Sequence, residues 1–161
     1  MRRWYVAHTQ PNSEIKATFN LQRQGFGVYL PRVRAERRHA RRVEQISRAL
    51  FPRYLFISID PDHDRWRTVN GTFGVRNLIT QGNDPLPVPK GIVESLKSME
   101  DNSGFIAPEP PSFRPGQRIE ILSGPMAMHV GLFHRMSDKE RVVLLLNLLG
   151  REVTVTISFT A

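Results

Sequence analysis

Between Ser103 and Gly116 the chain reads SGFIAPEPPSFRPG, with prolines at 108, 110, 111 and 115. Proline fixes φ and donates no backbone N–H, so neither a helix interior nor a central strand runs through such a stretch. It reads as a semi-extended linker. The chain is therefore built in parts: residues 1–102, a linker at 103–113, and residues 114–161. About a hundred residues can bury a core of their own, whereas roughly fifty lie near the lower limit for independent folding and call for a compact barrel.

The first part mixes helix and strand signals. WYVAHT alternates as a strand. A helix start follows at Asn12 and Ser13, with two i, i+4 apolar pairs, Ile15/Phe19 and Ala17/Leu21, and Gly25 as its stop. Residues 27–34 return to strand character, and LFPRYLFISID is the strongest strand signal, closed by Asp60-Pro61. DHDRWRTVN reads as a short helix, GVRNLIT as a strand, and PKGIVESLKSME as a helix with Pro89 near its start. This is an α+β pattern: an antiparallel or mixed sheet with helices packed on it. In the second part RIEIL, VGLFHR, RVVLLLNLL and EVTVTISF read as strands. Turns fall at Gly124-Pro125, Ser137-Asp138 and Gly150, which together predict a small all-β barrel. One segment is ambiguous, because VVLLLNLL is leucine-rich enough to suit a buried helix almost as well.

Charge is concentrated rather than spread. The whole chain carries a formal +8, and residues 32–53 hold eight arginines against Glu36 and Glu44. This stretch predicts a loop or ribbon facing an anionic partner, and arginine rather than lysine favours bidentate phosphate contacts. A solvated basic loop without a specific ligand is the plainer alternative.

Several chemistries are excluded or unsupported. There is no cysteine, which removes disulfides, thiol nucleophiles, iron–sulfur clusters and cysteine-ligated zinc. No apolar run approaches a membrane span, and MRRWYVAHTQ does not read as a secretory signal, so the expectation is a soluble, cytoplasmic protein. Asp60, Asp62, His63 and Asp64 resemble a metal cluster, but an Asp-rich segment before a helix more simply caps its free N–H groups. The five histidines are scattered, and no nucleophile elbow or phosphate-binding glycine loop occurs. No catalytic residue, metal or cofactor is assigned. The expectation is a protein that is not an enzyme.

On the LFPRYLFISID strand, Leu55, Ile57 and Ile59 share one face and Tyr54 and Phe56 the other, beside Phe51-Pro52 at its entry. The first set suits a helix-covered face. The second is an apolar patch that needs a cover: another helix, the C-terminal unit, or an amphipathic helix of a partner protein. The run PGQRIEILSGPMAMHVG, with Gly116, Gly124, Pro125 and Gly131, encodes strand, tight turn and strand.

Taken in order, WYV at 4–6, FPRYLF at 51–56, WRTVNGTFGV at 66–75 and the turn around Gly124, Pro125, Met126 and Gly131 resemble the NusG family of transcription elongation factors. LFPRYLF, the run from Asn70 to Val75 and LLLNLLGREV bring the chain nearest to the specialised RfaH-like members. The resemblance covers essentially the whole chain. It implies an N-terminal NGN-like domain that binds RNA polymerase and a C-terminal KOW-like barrel. By that likeness, Phe51, Pro52, Tyr54 and Phe56, with His8 on the neighbouring strand, would hold the polymerase clamp coiled coil. Arg67 and Thr68 would approach the opposite polymerase lobe. Asn70, Thr72 and Phe73 would lie near the displaced DNA strand, and Arg37, Arg38, Arg41 and Arg42 would add nucleic-acid contacts. The KOW unit would recruit Rho or a ribosomal protein, the molecule acting as a monomer that suppresses pausing or termination without a membrane partner. Phe73 stands where RfaH-like members carry a basic residue, and its ring suits stacking on an unpaired base. Met126 stands where many family members carry phenylalanine. RfaH-like proteins can also fold the C-terminal unit as a helical hairpin masking the groove, but the β-patterned EVTVTISF favours a barrel here. The alternative from another class is an RNA- or ribosome-binding KOW module.

Overall fold

Two apolar faces on one sheet dictate the architecture. A computed structural model of the chain describes residues 1–106, 118–121, 137–150 and 155–158. In the N-terminal part β1 (Arg3–Thr9), β2 (Gly27–Tyr29), β5 (Tyr54–Ile59) and β6 (Val75–Leu78) form a four-stranded sheet in the order β2-β5-β1-β6. All three pairings are antiparallel. The register sets Val6 opposite Phe56 and His8 opposite Tyr54, so these four side chains share a face. Tyr5, Ala7, Leu55, Ile57 and Ile59 point the other way, into a core with Ala17 and Leu21 of helix α1 (Glu14–Arg23).

The first face is covered from two directions. Helix α2 (Ile92–Ser98) contributes Ile92, Val93 and Leu96. A second helix, α3 (Asp138–Leu148), contributes Leu144, Leu145 and Leu148 to the same cluster as Val6, Tyr29, Leu50, Phe51 and Phe56. The strand expected over RVVLLLNLL is therefore helical. The reason is visible in the pattern: Arg141, Leu144, Leu145 and Leu148 follow i, i+3, i+4, i+7 and are all buried. Ser137 and Glu140 close a capping box at the helix start. The Glu140 N–H donates to Ser137 Oγ (3.2 Å) and the Ser137 N–H donates to Glu140 Oε1 (2.9 Å). Two other expected strands of the second part are present as an antiparallel pair, β7 (Arg118–Ile121) and β8 (Val155–Ser158). The expected VGLFHR strand and the turn residues Gly124, Pro125, Met126 and Gly131 lie outside the described residues.

Two other expectations change. The strand read over 27–34 breaks at Leu30-Pro31, and a separate hairpin follows, β3 (Arg32–His39) with β4 (Arg42–Ala49). Its two-residue turn holds Ala40 at φ +47° and Arg41 at φ +68°, the sign that a tight hairpin turn of matching twist requires. The arginine-rich stretch is thus a ribbon. The Asp-rich segment does not cap the following 3-10 helix (Trp66–Gly71), which has no side-chain cap. Asp60 instead accepts the terminal ammonium of Met1 (3.2 Å), while Asp64 accepts the Asp60 N–H (2.8 Å) and Arg2 Nη1 (3.1 Å). No trio of metal-ligating side chains occurs among the described residues, and none of their helices is long and apolar enough to cross a membrane.

Candidate functional site

The aromatic end of the sheet is shaped by a turn that only one backbone geometry allows. Arg53, between Pro52 and Tyr54, sits at φ +73°, a left-handed conformation that is costly for a side-chain-bearing residue. Two bonds hold it there. Its N–H donates to Glu14 Oε1 (2.9 Å) and its carbonyl accepts the Thr9 N–H (2.8 Å). The first turn of α1 and the end of β1 therefore fix how Phe51 and Tyr54 are presented. Glu14 had no signal in the sequence beyond its place in a helix N-terminus.

Around this turn the rings are arranged in pairs. His8 and Tyr54 stack at 4.7 Å with planes 6° apart, and Phe51 meets Phe56 edge-on at 6.1 Å. Tyr29 lies 6.2 Å from Phe56, and its hydroxyl donates to Glu100 Oε1 (3.2 Å). Burial, reinforced by the Glu100 carboxylate, pushes the Tyr29 hydroxyl pKa well above its ordinary value. Burial also lowers the His8 pKa, with Arg53 and Arg76 adding to the shift, so the ring is neutral near pH 7. Pro52, Tyr54 and His8 are half-buried, whereas Phe51 and Phe56 are each only 1% exposed. The apolar patch expected at 51–56 is thus already covered.

Its cover is α3. Besides the leucines, Arg141 reaches across and donates from Nε to the Leu50 carbonyl (2.5 Å). Asp138 ties the helix down a second time, accepting from both Arg48 of the hairpin and Arg141. Arg141 is nearly buried and its charge is met by Asp138, as a buried guanidinium requires. Sequence reasoning missed Arg141 and Asp138, although Ser137-x-x-Glu140 before an apolar run was a legible helix start.

The remaining candidates fall into separate places. Thr68 and Arg67 are exposed on the 3-10 helix, the Thr68 hydroxyl donating to the Arg65 carbonyl (2.7 Å) and Arg67 lying over the Trp66 ring. Asn70 and Thr72 are structurally committed. Asn70 Oδ1 accepts the Leu78 N–H (2.7 Å), and the buried Thr72 hydroxyl bonds both the Thr68 carbonyl (2.9 Å) and Gln24 Nε2 (2.7 Å). Phe73 is different: 70% exposed, with the Lys16 ammonium 4.7 Å from its ring centre. Ile15 and Phe19, also on α1, are 74% and 60% exposed, and Arg23 lies over Phe19. Gly74 lets the loop approach α1 this closely. It sits at φ +94°, and a Cβ there would lie 2.9 Å from the Ala17 backbone nitrogen.

On the ribbon, Arg37 pairs with Glu44 (3.1 Å) and Arg34 with Asp101, while Arg38, Arg41 and Arg42 make no ion pair among the described residues. Arg32 and Arg34 both lie against Phe105, which anchors the start of the proline-rich stretch to the ribbon's base.

Residues 2–97 match the profile of the family described as "Transcription termination factor nusG". The chain belongs to the NusG family. The matched span contains the His8–Tyr54 stack, the Phe51–Phe56 pair and the whole arginine ribbon. Among NusG relatives, the chain is 28% identical to the "Transcription termination/antitermination protein NusG" of Thermus thermophilus, over 98% of this chain and 95% of the relative. It is 25% identical to the protein of the same name from Bacillus subtilis, over 99% and 96% respectively. A solved structure titled "Domain interaction in Thermotoga maritima NusG" aligns at 20% identity and a TM-score of 0.46, covering 78% of this chain and 75% of that one. The NusG-type factors it joins are transcription termination/antitermination proteins.

Proposed function

We propose that this chain is an RfaH-like transcription elongation or antitermination factor that grips the RNA polymerase clamp coiled coil through Phe51, Pro52, Tyr54, Phe56 and His8. The observation that carries the reading is the occupant of that surface. It already holds an apolar helix, α3, packed by leucines at helical spacing and fastened by Arg141 and Asp138. A surface that accepts one apolar helix is shaped for another. In this form α3 stands in the partner's place, so engagement requires the helix to leave.

The other candidates take supporting roles. Arg67 and Thr68, exposed on the 3-10 helix, suit a contact with the opposite polymerase lobe. Asn70 and Thr72 shape their loop, and Phe73, with Lys16 beside it, provides the ring and cation that an unpaired DNA base and its phosphate would meet. Arg38, Arg41 and Arg42, with Arg37, give the ribbon a cationic end for nucleic-acid backbone. No bond is made or broken. Binding energy shifts the polymerase toward its elongating state. The 114–161 unit then recruits a further partner, Rho or a ribosomal protein.

The test uses the half-buried ring pair, because Phe51 and Phe56 are core residues whose loss would damage folding. Tyr54→Ala and His8→Ala should each weaken polymerase binding by about 1–3 kcal/mol and abolish pause suppression in an in vitro transcription assay. Unchanged binding in both variants would remove the groove assignment.

A further inference from the structure

At the opposite end of β1 from His8, on the same sheet face, lies a cleft of about 580 Å³ whose floor is Trp4, Pro87, Val88, Pro89 and Val93. Trp4 and His8 are four residues apart on one strand, so the cleft and the aromatic groove are separated by roughly 13 Å. The size is that of an ordinary ligand pocket, which spans ~300–1,000 Å³. Its walls are preformed. Pro87 and Pro89 have fixed φ, and the Val88 N–H donates to the Trp4 carbonyl (2.8 Å), fastening the segment to β1. The same features rule out strand addition at this edge, because the prolines have no N–H and Val88 has spent its own. Anything held here is held by its side chains.

The rim is cationic. Arg2 is committed to Asp64 and to the Ser58 carbonyl, and Arg3 shares the opposite sheet face with Tyr5, but the exposed Lys90 side chain makes no ion pair or hydrogen bond among the described residues. Lys97 places a further ammonium 5.0 Å from the Trp4 ring centre. Among the described residues, Glu94 is the lone acid lining the cleft. A nucleic-acid base would bring several polar edge groups that proline, valine and indole walls leave unpaired. An aromatic or aliphatic side chain flanked by carboxylates meets the apolar floor and the cationic rim together.

We propose that this cleft is a second docking site, taking an acidic peptide segment of a partner protein by one apolar anchor residue flanked by Asp or Glu. The proposal does not depend on what occupies the aromatic groove.

The chain has two tryptophans, so Trp66→Phe leaves Trp4 as the sole tryptophan emitter in the full-length protein, selected by excitation at the red edge of the absorption band. Titration with the capped pentapeptide DEFED should change Trp4 emission saturably. The neutral peptide NQFQN should bind about tenfold more weakly, and the double reversal Lys90→Glu, Lys97→Glu should weaken DEFED by a similar factor. In the unsubstituted chain, the Trp4 indole N–H and the Gly91 amide should shift in NMR spectra with the same affinity. The proposal is overturned by any of three results. One is no saturable response to DEFED up to about 1 mM, the millimolar limit of weak recognition. Another is equal binding of NQFQN or indifference to the charge reversal. The third is tighter binding of hexathymidylate at the same resonances.

Discussion

Leu144 is fully buried where α3 meets the aromatic end of the sheet, and shortening it to alanine measures how firmly that helix is held. A buried Leu→Ala change costs about 2–5 kcal/mol, from lost transfer energy and the cavity left behind. Alanine is only marginally the better helix former, by ~0.2 kcal/mol, so propensity does not offset the loss. Leu144 reaches the sheet only while α3 is docked, so the cost falls on the docked state and not on the undocked one. A central figure of about 3 kcal/mol corresponds to on the order of a hundredfold in the docking equilibrium. Native-state hydrogen exchange reads this directly: protection of the α3 amides should fall about a hundredfold in Leu144→Ala. Val142→Ala, at a half-buried position outside the cluster, should change it less than about tenfold. If the groove is the polymerase dock, apparent affinity for polymerase should rise in Leu144→Ala as the competent fraction grows. Equal effects of the two substitutions, or α3 protection unchanged within about threefold, would refute the account of α3 as a leucine-held cover.

Two further outcomes are expected. Gly74→Ala and Gly25→Ala both place alanine at φ +94°, but only at position 74 does the new Cβ meet backbone, so Gly74→Ala should cost about 2–4 kcal/mol and Gly25→Ala about 1–2. Thermal unfolding separates them, and equal losses would contradict the close approach of this loop to α1. The lowered His8 pKa means the unfolded chain binds a proton that the folded chain refuses between the folded value and about 6.5. Stability is therefore full above that range and lost as pH falls through it. Urea midpoints at pH 7.5 and pH 5.5 should differ more in the unsubstituted chain than in His8→Gln.

The sheet and its aromatic entry were readable from alternation because strands expose their faces at period two. Leu55, Ile57 and Ile59 against Tyr54 and Phe56 required no tertiary information. Helix α1 was readable as a helix but not as to its inner face. Ala17/Leu21 and Ile15/Phe19 are equivalent pairs in sequence, two positions apart and so on nearly opposite sides of the helix. The close approach of the Gly74 loop to Ala17 accompanies burial of the smaller pair, leaving Ile15 and Phe19 exposed. The roles of Asn70 and Thr72 were not readable, since their polar atoms are spent on Leu78, Thr68 and Gln24 through the fold. The Arg53 turn and its Glu14 clasp join residues thirty-nine positions apart and leave no local trace.

By itself, the sequence determined an α+β N-terminal part, a cationic stretch at 32–53, a proline-rich break and a ring-lined strand entry. Each follows from local rules of period, charge and backbone freedom. The capping box at Ser137 and Glu140 hinted at a helix over residues 138–148, but the tertiary structure decided it over a strand. An apolar run broken at one position by Asn147 satisfies either period, and what selects the helix is the apolar surface it finds. Phe51, Phe56 and Tyr29 offer one face, and a helix can bury Leu144, Leu145 and Leu148 there with Arg141 bonded to the Leu50 carbonyl, whereas a strand would turn alternate leucines away from it.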